Sequence, residues 1–429
     1  MARRRRPVRL AGALRTAVGV VSVRHEGAGR FLVANARWLG GAFLLCLCSS
    51  FGQTYFISLS GGEIRRELQL SHGEFGLLYM LATLASAATL PFLGRAIDRF
   101  PTRRVASATV VGLAAACVVM ATVPSVPVLV VALYLLRLCG QGMMSQTAFT
   151  AVGRWFVANR GRAVSYATIG YQAGEATLPL IFVATVGLLG WRGSWFASAA
   201  FLVVLGLPAI YALVRRERDP QSTMAPDLRR PAVRERMLAE VVRMPSFYLL
   251  CTAVVAPSFI VTTIFFHQIY LADLRGWPVE LFASGFVLMS TATAACALTC
   301  GWLIDRYTAV RILPFFLLPL TFACLAISQI ESSAAIFVFM GLVGISNGFA
   351  ATLFGALWPE LYGVRHLGAI RSVVLSAIVF GSALGPGVTG YLIDRGVSFP
   401  LQIAVMGIYC LCGAAMLAFW SRWHARQAD

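Results

Sequence analysis

Two six-residue stretches decide the fold: GRAIDR at residues 94–99 and GWLIDR at residues 301–306. Both read G-x-x-I-D-R, and each follows the second long apolar run of its half of the chain. The same charged turn in the same place in both halves indicates an internally duplicated architecture.

The composition is that of a membrane protein. Of the 429 residues, 58% are hydrophobic and 13% are charged, whereas a soluble domain carries about 25% charged residues. The charges cluster, and the apolar runs between them are about 20 residues long, enough for a helix to cross a hydrocarbon layer of about 30 Å. Strands of a closed barrel would alternate in polarity, so the continuous runs predict helices.

Twelve such runs predict an all-α polytopic membrane protein with 12 transmembrane helices in two pseudo-symmetric six-helix bundles. The predicted organisation is a basic arm (1–37), a first bundle (38–214), a central loop (215–245), a second bundle (246–421) and a tail (422–429). The predicted spans are 38–60, 73–93, 105–123, 128–150, 164–186, 192–214, 246–271, 281–304, 311–329, 334–357, 368–393 and 399–421.

The basic residues predict the orientation. All 36 are arginine, which excludes a Walker A loop and a Schiff-base lysine, so we expect no ATP motor and no cofactor. Most of them fall on the side of the termini and the central loop, which the positive-inside rule assigns to the cytoplasm. The charge predicts contact with anionic lipids, and no nucleic-acid partner is expected of the basic run at residues 3–6.

The ten cysteines all fall in predicted spans, without a C-x-x-C pair or a histidine at ligand spacing. They are interpreted as small packing residues, and no metal site is expected.

The repeated stretch, with Arg103 and Arg104 after its first copy, resembles the loop motif G-x-x-x-D-R-x-G-R-R of the major facilitator superfamily. The chain departs from the motif at Pro101, where a glycine is usual. The sequence RLCGQG from Arg137 resembles the family's fourth-span element, in which a glycine follows an arginine, and Gly-Trp-Arg at residues 190–192 also fits.

With twelve spans split six and six, the resemblance covers about residues 36–421. It implies a monomeric secondary carrier, working by alternating access with its site at the repeat interface near the bilayer midplane. A multi-pass protein of a bacterial inner membrane is expected. The branch of the family stays unassigned, with a weak likeness to monocarboxylate and oxalate–formate porters.

The repeated turn is interpreted as a latch. Gly94 and Gly301 permit close helix approach, and Asp98 can pair with an arginine on a neighbouring cytoplasmic end. Such pairs, worth about 0–1 kcal/mol each, would hold the outward-facing state; the alternative is topology anchoring without gating. The predicted gating residues are Gly94, Asp98, Arg99, Arg103, Arg162, Gly301, Asp305, Arg306 and Arg371.

Ionisable groups inside the membrane are costly and usually face a cavity or each other. Arg137 in the fourth span and Glu175 in the fifth are expected at similar depth, where they could pair. An anion that takes Arg137 would free Glu175 to bind a proton, a device for proton–anion symport. The alternative is a permanent structural salt bridge.

Polar residues in other spans complete the candidate site. His267 and Gln268 near the end of the seventh span are predicted as an outer gate; a solvated or capping role is the alternative. The G-x-G-x-x-G match at residues 385–390 lies in an apolar span, and it is interpreted as close helix packing. The candidate lining residues, each also interpretable as a helix–helix contact, are Gln53, Tyr55, Gln141, Tyr171, Gln172 and Asn347.

The leading hypothesis is proton-coupled transport of a small organic anion. A proton-driven exporter of amphipathic compounds is the alternative, favoured by the aromatic residues Tyr55, Phe265 and Phe266, although the Gly-Pro-rich fifth-helix motif of drug antiporters is missing. The five scattered histidines do not favour a membrane-embedded enzyme. A non-transporting receptor on this fold is the remaining alternative.

Overall fold

Long apolar runs become helices in a membrane because a helix satisfies every backbone polar group within its own segment. The computed structural model describes residues 28–156, 160–216, 236–363 and 367–428, and these residues are almost entirely helical. Eleven of the described helical stretches are long and apolar enough to cross a membrane. The longest, of 52 residues, contains two spans, because Gly190 interrupts it with a left-handed φ of 69°. The described part of the chain therefore forms twelve spans, as predicted.

The first six spans occupy the first half of the chain. In order, their helices are Ala28–Cys48 continued by Thr54–Ile57 (span 1), His72–Arg99 (span 2), Thr102–Ala121 (span 3), Val126–Leu135 and Ser145–Trp155 (span 4), Arg160–Phe201 up to and beyond Gly190 (spans 5 and 6) and Leu207–Val214 (the end of span 6). A short helix, Gly61–Leu68, lies between spans 1 and 2.

The second half repeats the plan. Its helices are Pro245–Phe266 continued by Gln268–Arg275 (span 7), Val279–Tyr307 (span 8), Ala309–Ile312 and Leu318–Gln329 (span 9), Ala334–Tyr362 (span 10), Leu367–Asp394 (span 11) and Phe399–Ala428 (span 12). Within the central loop, Leu238–Val241 forms one helical turn.

The first and last helices are longer than the predicted spans. Helix Ala28–Cys48 begins ten residues before position 38, and helix Phe399–Ala428 continues seven residues past position 421. Arginine and alanine are good helix formers, so the helix continues beyond the apolar run from which the span was predicted. Residues 28–36 belong to a unit of their own. Within this unit the Asn35 side-chain amide donates to the Phe31 carbonyl at 2.9 Å.

The two halves pack together along spans 2 and 11, where glycines remove the side chains between the backbones. A Cβ on Gly76 would overlap the carbonyl of Pro386, and a Cβ on Gly390 would overlap the carbonyl of His72. The prediction that the glycines at residues 385–390 serve close helix packing is confirmed.

Spans 1 and 4 have irregular backbone where they lie against each other, and span 7 is irregular near its end. Span 1 passes into a 3-10 turn at Ser49–Gly52 and is extended at Gln53 (φ −84°, ψ 152°). Span 4 widens into a π-helix over Leu136–Met144, and span 7 breaks at His267. Irregular backbone at membrane depth is tolerated where it is buried in protein or lines a cavity, so these breaks point to the site.

Candidate functional site

A cavity of about 420 Å³ lies between the two halves. Spans 1, 4 and 5 form one wall, and spans 7, 10 and 11 form the other. Its lining residues are Gln53, Thr54, Tyr55, Gln141, Tyr171, Glu175, Val254, Pro257, Ser258, Val261, Thr262, Phe265, Asn347, Ala350, Ala351, Phe354, Gly355, Arg371 and Ile378.

The break in span 1 builds the first wall. A Cβ on Gly52 would overlap the Leu136 carbonyl and the backbone of Gly140, so span 1 lies directly against the π-helix of span 4. The chain then turns extended at Gln53, which places three consecutive residues, 53–55, on the cavity wall. Glycine at position 52 is thus a requirement of this close approach.

Glu175 is the carboxylate of the cavity wall. It is 7% exposed, and the Ser290 hydroxyl of span 8 donates to its Oε2 at 3.4 Å. The neighbouring Gly174 packs against span 1, because a Cβ there would overlap Ser50 Oγ and the Leu47 carbonyl. This tight packing of span 5 against span 1 fixes Glu175 opposite the second half.

Arg137 lies behind the wall, 2% exposed, and not on the cavity. Its Nη1 donates to the Gly52 carbonyl at 3.2 Å and to Thr54 Oγ1 at 3.4 Å, and its Cζ lies 5.4 Å from the Tyr79 ring centroid. Its Nε has no hydrogen-bond partner in the described part of the chain.

The expected pairing of Arg137 with Glu175 is not made in this conformation. None of the ion pairs among the described residues joins them, since the break in span 1 brings a carbonyl and a hydroxyl to the guanidinium. A buried guanidinium without a counter-charge costs several kcal/mol, a cost that an incoming anion would reduce.

His267 and Gln268 lie at one end of the cavity, in a buried contact between the halves. Gln268 Nε2 donates to the Tyr55 carbonyl at 3.0 Å and to Ser58 Oγ at 2.9 Å, while Ser58 donates to the Phe265 carbonyl at 2.7 Å. His267 Nε2 is 3.3 Å from the Pro386 carbonyl. These bonds close the end of the cavity at which the sequence predicts an outer gate.

Asp394, at the end of span 11, strengthens this contact and was missed by the sequence reasoning. Its carboxylate accepts from Ser71 Oγ at 2.6 Å and from the backbone N–H groups of His72 and Gly73 at 3.1 and 2.8 Å. It thus caps the N-terminus of span 2 from the other half, where the helix dipole favours an anion. Residues 390–395 read GYLIDR, a third copy of G-x-x-I-D-R that was available as a signal.

All but one of the other predicted lining residues lie on the cavity wall. Gln53, Tyr55, Gln141, Tyr171 and Asn347 line the cavity together with Glu175; Gln172 does not. Ser290, which contacts Glu175, was missed, because a single hydroxyl in an apolar span carries no distinguishing pattern.

The end of the fold that carries residues 94–104 and 301–311 is called the loop-motif end here. Arg371, predicted for gating, lines the cavity in the first turns of span 11 at this end. The cavity therefore extends towards the loop-motif end, while the contacts of His267 and Gln268 close the opposite end.

The two glycines of the loop motif make no close helix approach to any described residue in this conformation. A Cβ on Gly94 would meet no described atom within 4 Å, and one on Gly301 would come no nearer than 3.9 Å, to Thr352. Arg99 and Arg103 are exposed, and Arg306 lies over the rings of Trp302 and Tyr307. The side chains of Asp98, Arg162 and Asp305 lie outside the described residues.

At the end opposite the loop motif, Gly190-Trp191-Arg192 ties three loops of the first half together. Arg192 donates to Glu67 Oε2 at 2.6 Å and to the carbonyls of Ala121 and Val123 at 2.9 and 3.0 Å. The hydrogen bond from the Trp191 indole, followed by the hydrogen bond and charge of Arg192, lowers the pKa of the Glu67 carboxyl.

Twelve spans in two repeated halves, with a polar cavity between them, define a membrane transport fold. The sequence model of the Major Facilitator Superfamily matches residues 42–333, and the chain belongs to this family.

Its relatives are transporters. It is 24% identical over 377 residues to monocarboxylate transporter 11 of Mus musculus, covering 85% of this chain and 83% of that protein. It is also 24% identical over 379 residues to the uncharacterized MFS-type transporter YuxJ of Bacillus subtilis (strain 168), with 84% and 89% covered.

Solved structures of transporters share the fold. A bacterial homologue of the human lysosomal transporter Spinster, in an inward-facing and unoccupied conformation, aligns with a TM-score of 0.66 at 17% identity, covering 90% of this chain and 93% of that one. The D323A mutant of the nucleoside transporter NupG aligns with a TM-score of 0.67 at 11% identity, covering 90% and 99%.

Proposed function

We propose that this chain is a secondary active transporter, not an enzyme, in which the two halves alternate access to the cavity and protons drive the transport of a small organic anion. The observation that carries the proposal is Glu175, a buried carboxylate on the cavity wall that is hydrogen-bonded to Ser290 of the opposite half. A carboxylate in this position can bind a proton and change the contact between the halves in the same step.

The arginines support an anionic substrate. Arg371 lines the cavity, and Arg137 lies behind residues 52–54 with an Nε donor that no described residue accepts. An anion bound against residues 53–55 would stabilise the buried charge of Arg137 through the thin wall of span 1. The relative from Mus musculus is, by its name, a transporter of monocarboxylates, which agrees with this substrate class.

The conformation is inward-facing in the orientation that we propose, with the loop-motif end and both termini in the cytoplasm of a bacterial inner membrane. The arginine distribution supports this orientation. The cavity then extends to the cytoplasm, and the bonds of Gln268 and Asp394 hold the outer side closed. Asp98 and Asp305 would form their latch in the outward-facing state, where the loop-motif ends approach each other.

The coupling step follows from Glu175 and Ser290. An ionised Glu175 accepts the hydroxyl hydrogen of Ser290 and carries a charge in a buried site, whereas a protonated Glu175 carries no charge as the halves move. Binding of an anion beside residues 53–55 favours uptake of a proton, because a negative charge disfavours a second one nearby. Anion and proton would therefore cross together, as a symport.

Purified protein in liposomes that contain a pH-sensitive dye tests this function. We expect one member of a panel of small carboxylates, added outside, to acidify the lumen, and we expect Glu175→Gln to abolish the acidification. Glu74→Gln, which removes an exposed carboxylate that does not line the cavity, is the matched control and should retain it. Acidification that persists in Glu175→Gln would contradict the coupling role.

A proton-driven exporter of amphipathic compounds is the second candidate. The aromatic rings of Tyr55, Phe265 and Phe354 line the cavity beside Glu175, which suits an apolar cation. A proton flux that responds only to cationic amphiphiles in the same assay would favour this candidate and reject the anion.

A further inference from the structure

A second cavity, of about 1000 Å³, lies at the loop-motif end and is separate from the transport cavity. We call it the Trp420 cavity. The start of span 7, the end of span 10 and the last turns of span 12 enclose it. Its lining residues are Arg236, Arg243, Met244, Pro245, Ser246, Leu249, Leu361, Tyr362, Ala415, Met416, Phe419, Trp420, Trp423 and His424.

One part of the Trp420 cavity is cationic. Arg236, Arg243 and His424 line it, and no aspartate or glutamate is among the described lining residues. Arg236 is held in place by its backbone N–H, which donates to the Tyr362 carbonyl at 3.1 Å, and by a contact of Nη1 with Met244 Sδ at 2.8 Å. A thioether is a weak acceptor, so the guanidinium still has donors for a stronger partner.

A buried donor in the wall also lacks an acceptor. Trp420 is 8% exposed, and its Nε1 has no hydrogen-bond partner among the described residues. Its ring stacks on His424, with the centroids 5.1 Å apart and the planes 16° apart. Buried indole N–H groups normally find a partner, so this one indicates a ligand oxygen in the cavity.

The remaining wall is apolar and faces the membrane. Met416 and Phe419 are 50% and 77% exposed, and they belong to a span that ends at His424, while Pro245 begins the span beside it. The cavity therefore lies at the membrane boundary. Arg236 and Arg243 lie beyond the start of span 7, and the apolar side chains of Met416 and Phe419 lie towards the hydrocarbon. A phospholipid has the same division into headgroup and chain.

We propose that the Trp420 cavity binds an anionic phospholipid. Arg236 and Arg243 contact the headgroup phosphate, the Trp420 indole donates to a headgroup or ester oxygen, and an acyl chain lies along Leu249, Met416 and Phe419. The orientation given under Proposed function assigns this lipid to the cytoplasmic leaflet; the site itself does not depend on what the protein transports.

The test is a lipid titration of the purified full-length protein in a neutral detergent, followed as the rise in apparent Tm. Phosphatidylglycerol, phosphatidylcholine and inorganic phosphate are compared. We expect phosphatidylglycerol to stabilise the wild type. We expect the double variant Arg236→Gln/Arg243→Gln to bind this lipid about thirtyfold more weakly, because the loss of each arginine weakens binding about fivefold and the two factors multiply. Arg104→Gln removes one exposed charge from the loop-motif end of the other half and should stay within about twofold of the wild type.

Trp420→Phe keeps both arginines and the ring and removes only the N–H donor. We expect it to weaken phosphatidylglycerol binding about fivefold, as one lost neutral hydrogen bond does. This variant decides the question if the double variant elutes as an aggregate.

Three outcomes would overturn the proposal. Phosphatidylcholine could stabilise the wild type as well as phosphatidylglycerol does, or inorganic phosphate could give the whole effect, which would indicate a soluble-anion site. The Arg236/Arg243 and Trp420 variants could also bind phosphatidylglycerol as the wild type does. All these measurements are independent of transport, so a failure here leaves the transport proposal untouched.

Discussion

The carboxylate of Asp394 provides the sharpest test of how the closed end of the cavity is held. It accepts three hydrogen bonds from residues 71–73 at the start of span 2, and span 2 belongs to the other half. Asp394→Asn keeps an acceptor of similar size but removes the charge. A negative charge at a helix N-terminus is worth about 0.3–1 kcal/mol, and hydrogen bonds to charged groups are stronger than neutral ones. Because Asp394 is exposed, we expect the charge–dipole and hydrogen-bond contributions together to be small, about 1 kcal/mol.

A loss of about 1 kcal/mol changes an equilibrium about fivefold. In Asp394→Asn we therefore expect the ratio of the observed conformation to the opposite-facing conformation to fall about fivefold. Hydrogen exchange in lipid nanodiscs measures this without a known substrate, since the amides of His72 and Gly73 are themselves the donors. Peptides covering residues 65–80 and 386–396 should both exchange about fivefold faster.

Glu74→Gln is the matched control for this experiment. Glu74 accepts from the Ser71 backbone N–H at 2.8 Å and so caps the same helix end from within its own half. Its substitution should speed exchange at residue 71 and leave residues 386–396 unchanged. Unchanged exchange at residues 386–396 in Asp394→Asn, or an equal change there in Glu74→Gln, would show that Asp394 does not hold the two halves together.

Two further predictions concern stability. Arg192→Gln removes donors to two carbonyls and to Glu67, and we expect the free energy of unfolding to fall by about 1–2 kcal/mol, measured as a lower apparent Tm. Because the pKa of Glu67 is lowered in the fold, ionised Glu67 stabilises the protein above its unfolded pKa, of about 4.3, and this stabilisation is lost as the pH falls through the lower folded pKa. The apparent Tm should therefore fall less steeply from pH 7 to pH 3 in Arg192→Gln than in the wild type, and equal slopes of Tm against pH would contradict this. Gly52→Ala places a Cβ against the backbone of span 4, so we expect the free energy of unfolding to fall by about 1–3 kcal/mol or folding to fail. Gly187→Ala is the control, because a Cβ there meets no described atom within 4 Å and should be nearly neutral. Apparent Tm and gel filtration measure both variants.

The fold was predictable from the sequence to a large extent. Span number and the six-and-six division follow from runs of apolar residues and from the repeats at residues 94–99 and 301–306, and the match to the family over residues 42–333 confirms the interpretation. The ends of spans were less predictable: the helix that begins at Ala28 starts well before its apolar run, because helix formation does not stop where hydropathy falls.

The candidate site was predictable only in its residue types. Counting along the spans placed Arg137 and Glu175 at similar depth, and polar character alone marked Gln53 and Asn347 as candidate lining residues. Of these four, Glu175, Gln53 and Asn347 line one cavity. Counting residues along the spans could not determine which side chains would contact each other. It suggested Glu175 for Arg137, whereas the structure gives Arg137 the Gly52 carbonyl and Thr54, because span 1 breaks beside it.

The difference has a physical reason. Whether a segment enters the membrane depends on the transfer free energies of its own residues, which add along the chain. The twelve spans could therefore be predicted from the order of the amino acids alone. Which side chains meet depends on the rotation and tilt of each helix, and these are set by packing against its neighbours. The meeting of Asp394 with the start of span 2, and of Ser290 with Glu175, therefore belongs to the tertiary structure alone.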